Sequence, residues 1–225
     1  MSLANFNPTA AFEQAFNDEL ADIPEGTFIK ASGRPSKAHP HGEDGGWWRD
    51  NGPGMVQAWI DWRTNNPGWT TWVSPDGTLG IELELTVTID GELIKLFIDN
   101  IMATEGDNSR PVVVDKKSGG MEPYWMFQLG LYKVAVETVW PDVKVAGGAY
   151  WMARKGELSG IVSLDSFTPK LVGSYARRVR EMRSRGIYLP MVGSGCKSCG
   201  VGEYCAANNG ARAELDPDYV LLGGN

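Results

Sequence analysis

Apolar residues Phe12, Phe16, Leu20 and Ile23 recur at helical spacing behind Thr9, a residue able to cap, so the pattern predicts an amphipathic helix over residues 9–23. From 31 to 54 the periodicity gives way to Gly, Pro, His and Ser, which predicts a long irregular loop. Loops of that length in compact domains are usually functional or disordered. Helical spacing returns over 54–64 and stops at Asn65-Asn66-Pro67-Gly68. Strands are expected over 69–73, 79–89 and 93–102, the last two joined by the hairpin signal Asp90-Gly91. A further strand covers 111–117, followed by a long helix over 123–139 with Met126, Phe127, Gly130, Leu131, Val134, Ala135 and Thr138 facing inward. Residues 143–154 read as a strand, 158–163 as a shorter one, and 169–185 as a final helix. Helices, a run of hairpin strands, then helix, strand and helix make an α/β domain whose mixed sheet is flanked by helices.

The 225 residues suit a single domain over 1–225 with a substantial core and room for a small appendage. No apolar run approaches the roughly 18 residues needed to span a bilayer, so no membrane partner is expected. The first residues lack a basic stretch followed by an apolar one, which predicts no secretory leader and a cytoplasmic location. A net charge of -7 argues against polyanion binding by the whole surface but leaves room for a local basic face. Arg177, Arg178, Arg180, Arg183 and Arg185 supply one, on a predicted helix, either as contacts to a nucleic-acid backbone or as an ordinary solvated face.

Chemistry concentrates where apolar strands end in charge. Val112-Val113-Val114 runs into Asp115-Lys116-Lys117, and Leu96-Phe97-Ile98 runs into Asp99. Burying a carboxylate at the end of such strands is costly unless it is used. Strand side chains alternate, so Asp115 and Lys117 share a face, while Gln128 and Tyr132 lie one turn apart on the following helix. Two strand-end carboxylates, a lysine and a helix-borne Gln/Tyr pair are parts suited to metal-dependent phosphodiester hydrolysis. The carboxylates suit Mg2+, with the Lys116 carbonyl as a third oxygen, and Lys117 orients water or offsets developing charge. An ordinary Asp115–Lys117 salt bridge is the competing reading.

Cys196, Cys199 and Cys205 form C-x2-C-x5-C among glycines within 190–210, and clustered thiols in a chain with no secretory signal read as metal ligands rather than disulfides. Six of the nine tryptophans lie between Trp47 and Trp72. Trp59, Trp62 and Trp72 are expected in the core, whereas Trp47 and Trp48, in the Gly-rich loop, could stack on unpaired bases.

Asp99, then Asp115-Lys116-Lys117-Ser118-Gly119, then Gln128 and Tyr132 resemble the G-x-x-D, D-x-K-T/S-G and Q-x-x-x-Y motifs of RecB-type nucleases in the PD-(D/E)XK superfamily. The resemblance covers residues 80 to 140. It implies a restriction-endonuclease-like core, dependence on Mg2+ or Mn2+, Asp99 and Asp115 as metal ligands, Lys117 as the catalytic lysine, and Gln128 and Tyr132 near DNA. Such enzymes usually carry a metal-binding His early in a helix. Here Gln57 stands at that place, and Glu84, with Glu82 beside it on the predicted strand, is the alternative source of a ligand. The three cysteines resemble the C-terminal motif of CRISPR-associated RecB-like exonucleases, their phage-encoded relatives and helicase-associated nucleases. That resemblance implies a cluster stapling the chain ends, with a fourth cysteine near the N-terminus. No fourth cysteine exists, and His39, before Pro40, is the candidate replacement; Cys3His suits a 4Fe-4S cluster or Zn2+. The expected activity is exonucleolytic processing of single-stranded DNA or DNA ends, alongside recombination or replication partners. A non-catalytic DNA-binding protein on the same fold and a metal-cluster scaffold or redox protein are the alternatives.

Overall fold

A computed structural model gives the fold and describes residues 6–24, 37, 39–187, 193, 196 and 199–213. They divide into two compact units, Met1–Asp22 with Arg49–Arg180, and Ile23–Trp48 with Glu181–Asn225. The elements run α1 (Pro8–Ala21), α2 (Gly45–Asn65), β1 (Trp69–Thr71), β2 (Ile81–Ile89), β3 (Glu92–Thr104), β4 (Asp107–Lys117), α3 (Phe127–Val139), β5 (Gly147–Met152), β6 (Glu157–Leu158) and α4 (Pro169–Ser184).

In the first unit the sheet has the order β1-β3-β4-β5-β6, and β2 pairs with β3. Only β4 and β5 run parallel; the other pairings are antiparallel, which makes the sheet mixed, as the element order predicts. The hairpin between β2 and β3 turns on Asp90 and Gly91, both with positive φ. That geometry matches the right-handed twist of the strands and explains why Asp-Gly marks the turn. Helices cover both faces. Leu83, Leu85, Ile98, Ile101 and Val113 pack with Leu129, Val134, Ala135 and Val136 of α3. Met102, Val112, Val114, Ala149 and Trp151 meet Ala58, Trp59 and Trp62 of α2 on the other side. Strands covered on both faces read as unbroken apolar runs, hence Val112-Val113-Val114 and the fully buried β5. Trp59, Trp62 and Trp72 pack in or against the core as expected.

Element ends differ from the sequence pattern for local reasons. Asn7, not Thr9, caps α1, its side-chain oxygen accepting from Ala10 N–H at 3.1 Å with Pro8 at the first helical position. The second helix begins at Gly45, nine residues before its expected start, so part of the predicted 31–54 loop is helical. Asp44 Oδ1 accepts from Trp47 N–H at 2.9 Å, and that cap outweighs the Gly-Gly punctuation that follows. Conversely, α3 starts at Phe127, leaving Pro123–Met126 outside the helix. Helix α4 lies against the β2–β3 turn because Gly173 permits it: a Cβ there would meet Asp90 Cβ at 2.4 Å.

In the second unit, residues 199–213 wind through tight turns. Gly202 N–H donates to the Cys199 carbonyl at 3.2 Å, and Asn208 and Gly210 N–H both donate to the Cys205 carbonyl at 3.1 Å. A short 3-10 helix, Ala206–Asn208, lies within them.

Candidate active site

The β3–β4 ladder pairs Asn100 with Val114 and Ile101 with Val113, so the next position of this register sets Asp99 against Asp115. There the backbone pairing stops, and a carboxylate takes over: Lys116 N–H donates to Asp99 Oδ2 at 2.8 Å. In the parallel pairing of β4 with β5, Asp115 stands opposite Tyr150. Three neighbouring strands therefore deliver Asp99, Asp115 and Tyr150 to one row.

Asp115 is 1% exposed. Its Oδ2 forms an ion pair with Lys117 Nζ at 2.5 Å yet receives no hydrogen bond of good geometry among the described residues. Burial raises the Asp115 pKa above its ordinary value, the attraction of Lys117 works against that, and the nearby charge of Asp99 adds to the rise. Lys117 Nζ in turn donates to Gln128 Oε1 at 3.1 Å, Gln128 Nε2 donates to the Tyr132 hydroxyl at 2.8 Å, and that hydroxyl donates to Asp115 Oδ1 at 3.4 Å. The donors fix the direction of this ring. An ammonium can only donate, so the Gln128 carbonyl faces it, its amide faces Tyr132, and the phenol hydrogen is left for Asp115. Burial, reinforced by Asp115 and Asp99, lifts the Tyr132 pKa far above the usual phenol range, so the hydroxyl stays protonated. Tyr132 is thus a buried part of α3 that holds Asp115, with 4% exposure, rather than a surface side chain.

Tyr150 belongs to the same assembly, and sequence reasoning passed over it. Its ring lies 6.0 Å from Lys117 Nζ, its hydroxyl donates to the Trp125 carbonyl at 3.1 Å, and burial, then Asp115 and Glu122, raises its pKa. Only the parallel register of two strands separated by a helix brings it here, and no local motif announces that. Arg154, also unforeseen, donates to the Ser118 carbonyl just past Lys117.

Other expected residues are placed elsewhere. Gln57 is exposed on α2 and donates to Asp61 at 2.6 Å. Glu84 is paired with Lys95 at 2.6 Å on the open side of the hairpin, and Glu82 contacts Lys116 Nζ at 3.4 Å. Among the described residues no group of three or more His, Cys, Asp or Glu is arranged to hold a metal ion. The Asp99–Asp115 site accordingly offers two carboxylates, and Cys196, Cys199, Cys205 and His39 are not gathered into a centre. Cys196 Sγ accepts from Gly193 N–H at 3.3 Å, and the His39 ring meets Trp47 edge-on at 6.4 Å. Trp47 and Trp48 are half-buried on the first turn of α2 and pack edge-to-face at 4.9 Å, rather than standing in an open loop.

The arginine helix is partly neutralised from within. Arg177 pairs with Asp90 at 2.8 Å, and Arg180 grips both oxygens of Glu92 at 2.9 and 3.0 Å. Arg178, Arg183 and Arg185 are exposed.

The donor set fits a hard divalent cation. Mg2+ is commonly held by one or two carboxylates with water and substrate oxygens completing its shell, and a buried Asp115 oxygen with no good hydrogen bond suits such a ligand. No helix among the described residues is long and apolar enough to cross a membrane. The family profile described as the PD-(D/E)XK nuclease superfamily matches residues 7–206. A curated relative, the Gene 69 protein of Mycobacterium phage D29, is 28% identical over 208 residues, covering 84% of this chain and 74% of the phage protein.

Proposed function

The chain belongs to the PD-(D/E)XK nuclease superfamily, and from that premise we propose that it is a Mg2+- or Mn2+-dependent DNA exonuclease that processes DNA ends in recombination, repair or replication. The observation that carries this reading is the hydrogen-bonded ring of Asp115, Lys117, Gln128 and Tyr132, with Asp99 in register beside it. Asp99, Asp115 and the Lys116 carbonyl would hold the metal, which supplies positive charge against the scissile phosphate and activates water. Lys117 is the cation of the site: partly exposed, it donates to the attacking water or to a phosphate oxygen as charge develops there. Gln128 and the Tyr150 ring orient the Lys117 ammonium, and Tyr132 orients Asp115. The backbone N–H of Lys116 fixes the Asp99 carboxylate so that one oxygen remains for the cation.

A non-catalytic DNA-binding protein is the second reading, favoured by Gln57, which stands exposed and tied to Asp61 where related enzymes carry a metal-binding His. The metal staple implied by the cysteine motif does not fit the observed arrangement of the described residues, and no step here uses it.

The deciding experiment supplies Mg2+ or Mn2+ to the chain with end-labelled single-stranded DNA, duplex DNA and a circular single strand. Linear strands should shorten, the circle should resist, and Asp115→Ala and Lys117→Ala should both abolish cleavage while retaining the parental circular dichroism spectrum. Cleavage of the circle would replace exonuclease by endonuclease. Parental rates in either variant would remove the site assignment, and DNA binding without cleavage would establish the second reading.

A further inference from the structure

Between Lys117 and Gln128, two members of the ring, the chain runs through Ser118-Gly119-Gly120-Met121-Glu122-Pro123-Tyr124-Trp125-Met126. Three of its large side chains are turned to solvent, while Met126 packs against the core. Met121 is 85% exposed, Tyr124 89% and Trp125 53%. Exposed apolar side chains standing singly need no explanation, but three within five residues, flanking a reactive centre, form a patch that calls for an occupant.

The backbone of this segment is held at both ends. Arg154 donates to the Ser118 carbonyl, and Tyr150 donates to the Trp125 carbonyl at 3.1 Å. Tyr150 also stacks beneath the Lys117 ammonium, so one residue positions both the lysine and the aromatic segment. The segment has no cation, and its one charge, Glu122, repels phosphate. It is therefore unsuited to gripping a nucleic-acid backbone and suited to the uncharged faces of bases. Trp125 is three residues from Gln128, which puts their Cα atoms within about 11 Å of each other. That is the reach to a base a few nucleotides from a phosphate held at Asp115 and Lys117.

We propose that Tyr124 and Trp125, backed by Met121, form a stacking platform for unpaired bases of the strand being cut, making single-stranded DNA the preferred substrate. This rests on the nuclease reading above and adds to it a specificity site. Base pairing hides the faces of bases within a duplex, so the platform engages only single strands or frayed ends. The stacking role expected of Trp47 and Trp48 passes to these residues.

The test is equilibrium binding of the full chain to fluorescent DNA by anisotropy, in Ca2+ and without cleavage. It compares a single strand, a blunt duplex and a single strand with abasic sites. Stacking is worth about 1–3 kcal/mol per base, so Tyr124→Ala and Trp125→Ala should each weaken single-strand binding about 5- to 140-fold. Duplex binding should change little, Tyr124→Phe and Trp125→Phe should restore affinity, and the abasic strand should bind parent and Ala variants alike. Both side chains are exposed and the Trp125 carbonyl is unaltered, so melting temperatures should match the parent. Equal losses on intact and abasic strands would overturn the inference, as would unchanged single-strand affinity. Unchanged affinity together with loss of a dimer in light scattering would assign the patch to self-association instead. Because the readout needs no cleavage, an inert protein with aromatic-dependent binding would sink the nuclease reading alone, and an active one indifferent to these substitutions would sink only the platform.

Discussion

Replacing Tyr132 by Phe removes one oxygen from the ring and leaves the core packing of α3 in place. Two hydrogen bonds disappear, from Gln128 at 2.8 Å and to Asp115 at 3.4 Å. Gln128 is exposed and can turn to water, so its loss costs little. Asp115 is buried and cannot. A buried acceptor left without its donor costs about 1–3 kcal/mol, and 3.4 Å is long for a hydroxyl donor, which points to the lower half of that range. For a chain of this length each kcal/mol moves the melting temperature by about 2–4 °C, so a fall of about 2–8 °C is expected. The chemical effect is larger. Tyr132 is one of the groups that pull the Asp115 pKa down, so without it burial pushes that pKa higher still. In the proposed mechanism Asp115 works as a carboxylate, so the acid limb of the cleavage profile should move to higher pH. Loss of a group that orients a metal ligand commonly costs about 10- to 100-fold in activity or metal affinity. Differential scanning calorimetry and Mn2+-dependent cleavage rates from pH 5 to 9 would measure both effects (the range being on the order of the span in which perturbed carboxylates and lysines titrate). An acid limb that stays put, with full activity and an unmoved melting temperature, would refute the role of the ring.

Three further outcomes concern charges outside the ring. Arg177 and Arg180 are committed to Asp90 and Glu92, so Gln at either position should lower the melting temperature and leave the salt dependence of DNA binding unchanged. Arg178→Gln and Arg183→Gln should instead each reduce the slope of log K against log salt by about 0.7–0.9, and an unaltered slope would make that face ordinary surface. Asp76, hydrogen-bonded first by Ser74 and then by Thr78, with Trp140 adding a further contact, has its pKa lowered to about 2. The sign is that of a depressed carboxylate: its contribution to stability is present above the unfolded value near 4 and is lost as pH falls towards about 2. Melting temperatures measured through that window should fall less steeply for Asp76→Asn than for the parent, and parallel curves would exclude Asp76 as an acid-sensitive group.

Much of the site was legible because its chemistry sits where apolar patterns break. Val112-Val113-Val114 reads as a covered strand, and on a strand a carboxylate and a lysine two apart share a face. Gln128 and Tyr132 were legible as a helical pair, although the burial of Tyr132 was not, since a tyrosine one turn from an exposed glutamine reads as surface until the sheet beneath it is known. What stayed hidden depends on long-range register. Tyr150 meets Lys117 only because β4 and β5 pair in parallel across α3, and Glu84 is engaged by Lys95 only because the hairpin closes on Asp90-Gly91. The start of α2 was obscured by Gly45 and Gly46, whose propensity an Asp44 cap overrides. The arginines were legible as a cluster but not as partners of Asp90 and Glu92, which lie more than eighty residues away in sequence. The cysteine spacing suggested a ligand set that the turns of 199–213 do not assemble with the other described residues.

The parallel pairing of β4 with β5 has a consequence for synthesis. Asp115 lies on the first strand of this crossover, Tyr132 on its helix and Tyr150 on its second strand, so no portion of the chain holds the site until the crossover has closed. Closing a parallel pair across an intervening helix is a non-local and comparatively slow event, because loop-closure entropy is lost before the contacts repay it. A ribosome-bound chain that ends before Tyr150 therefore lacks the support beneath Lys117. A chain of this nuclease superfamily thus gains its candidate site only late in its assembly.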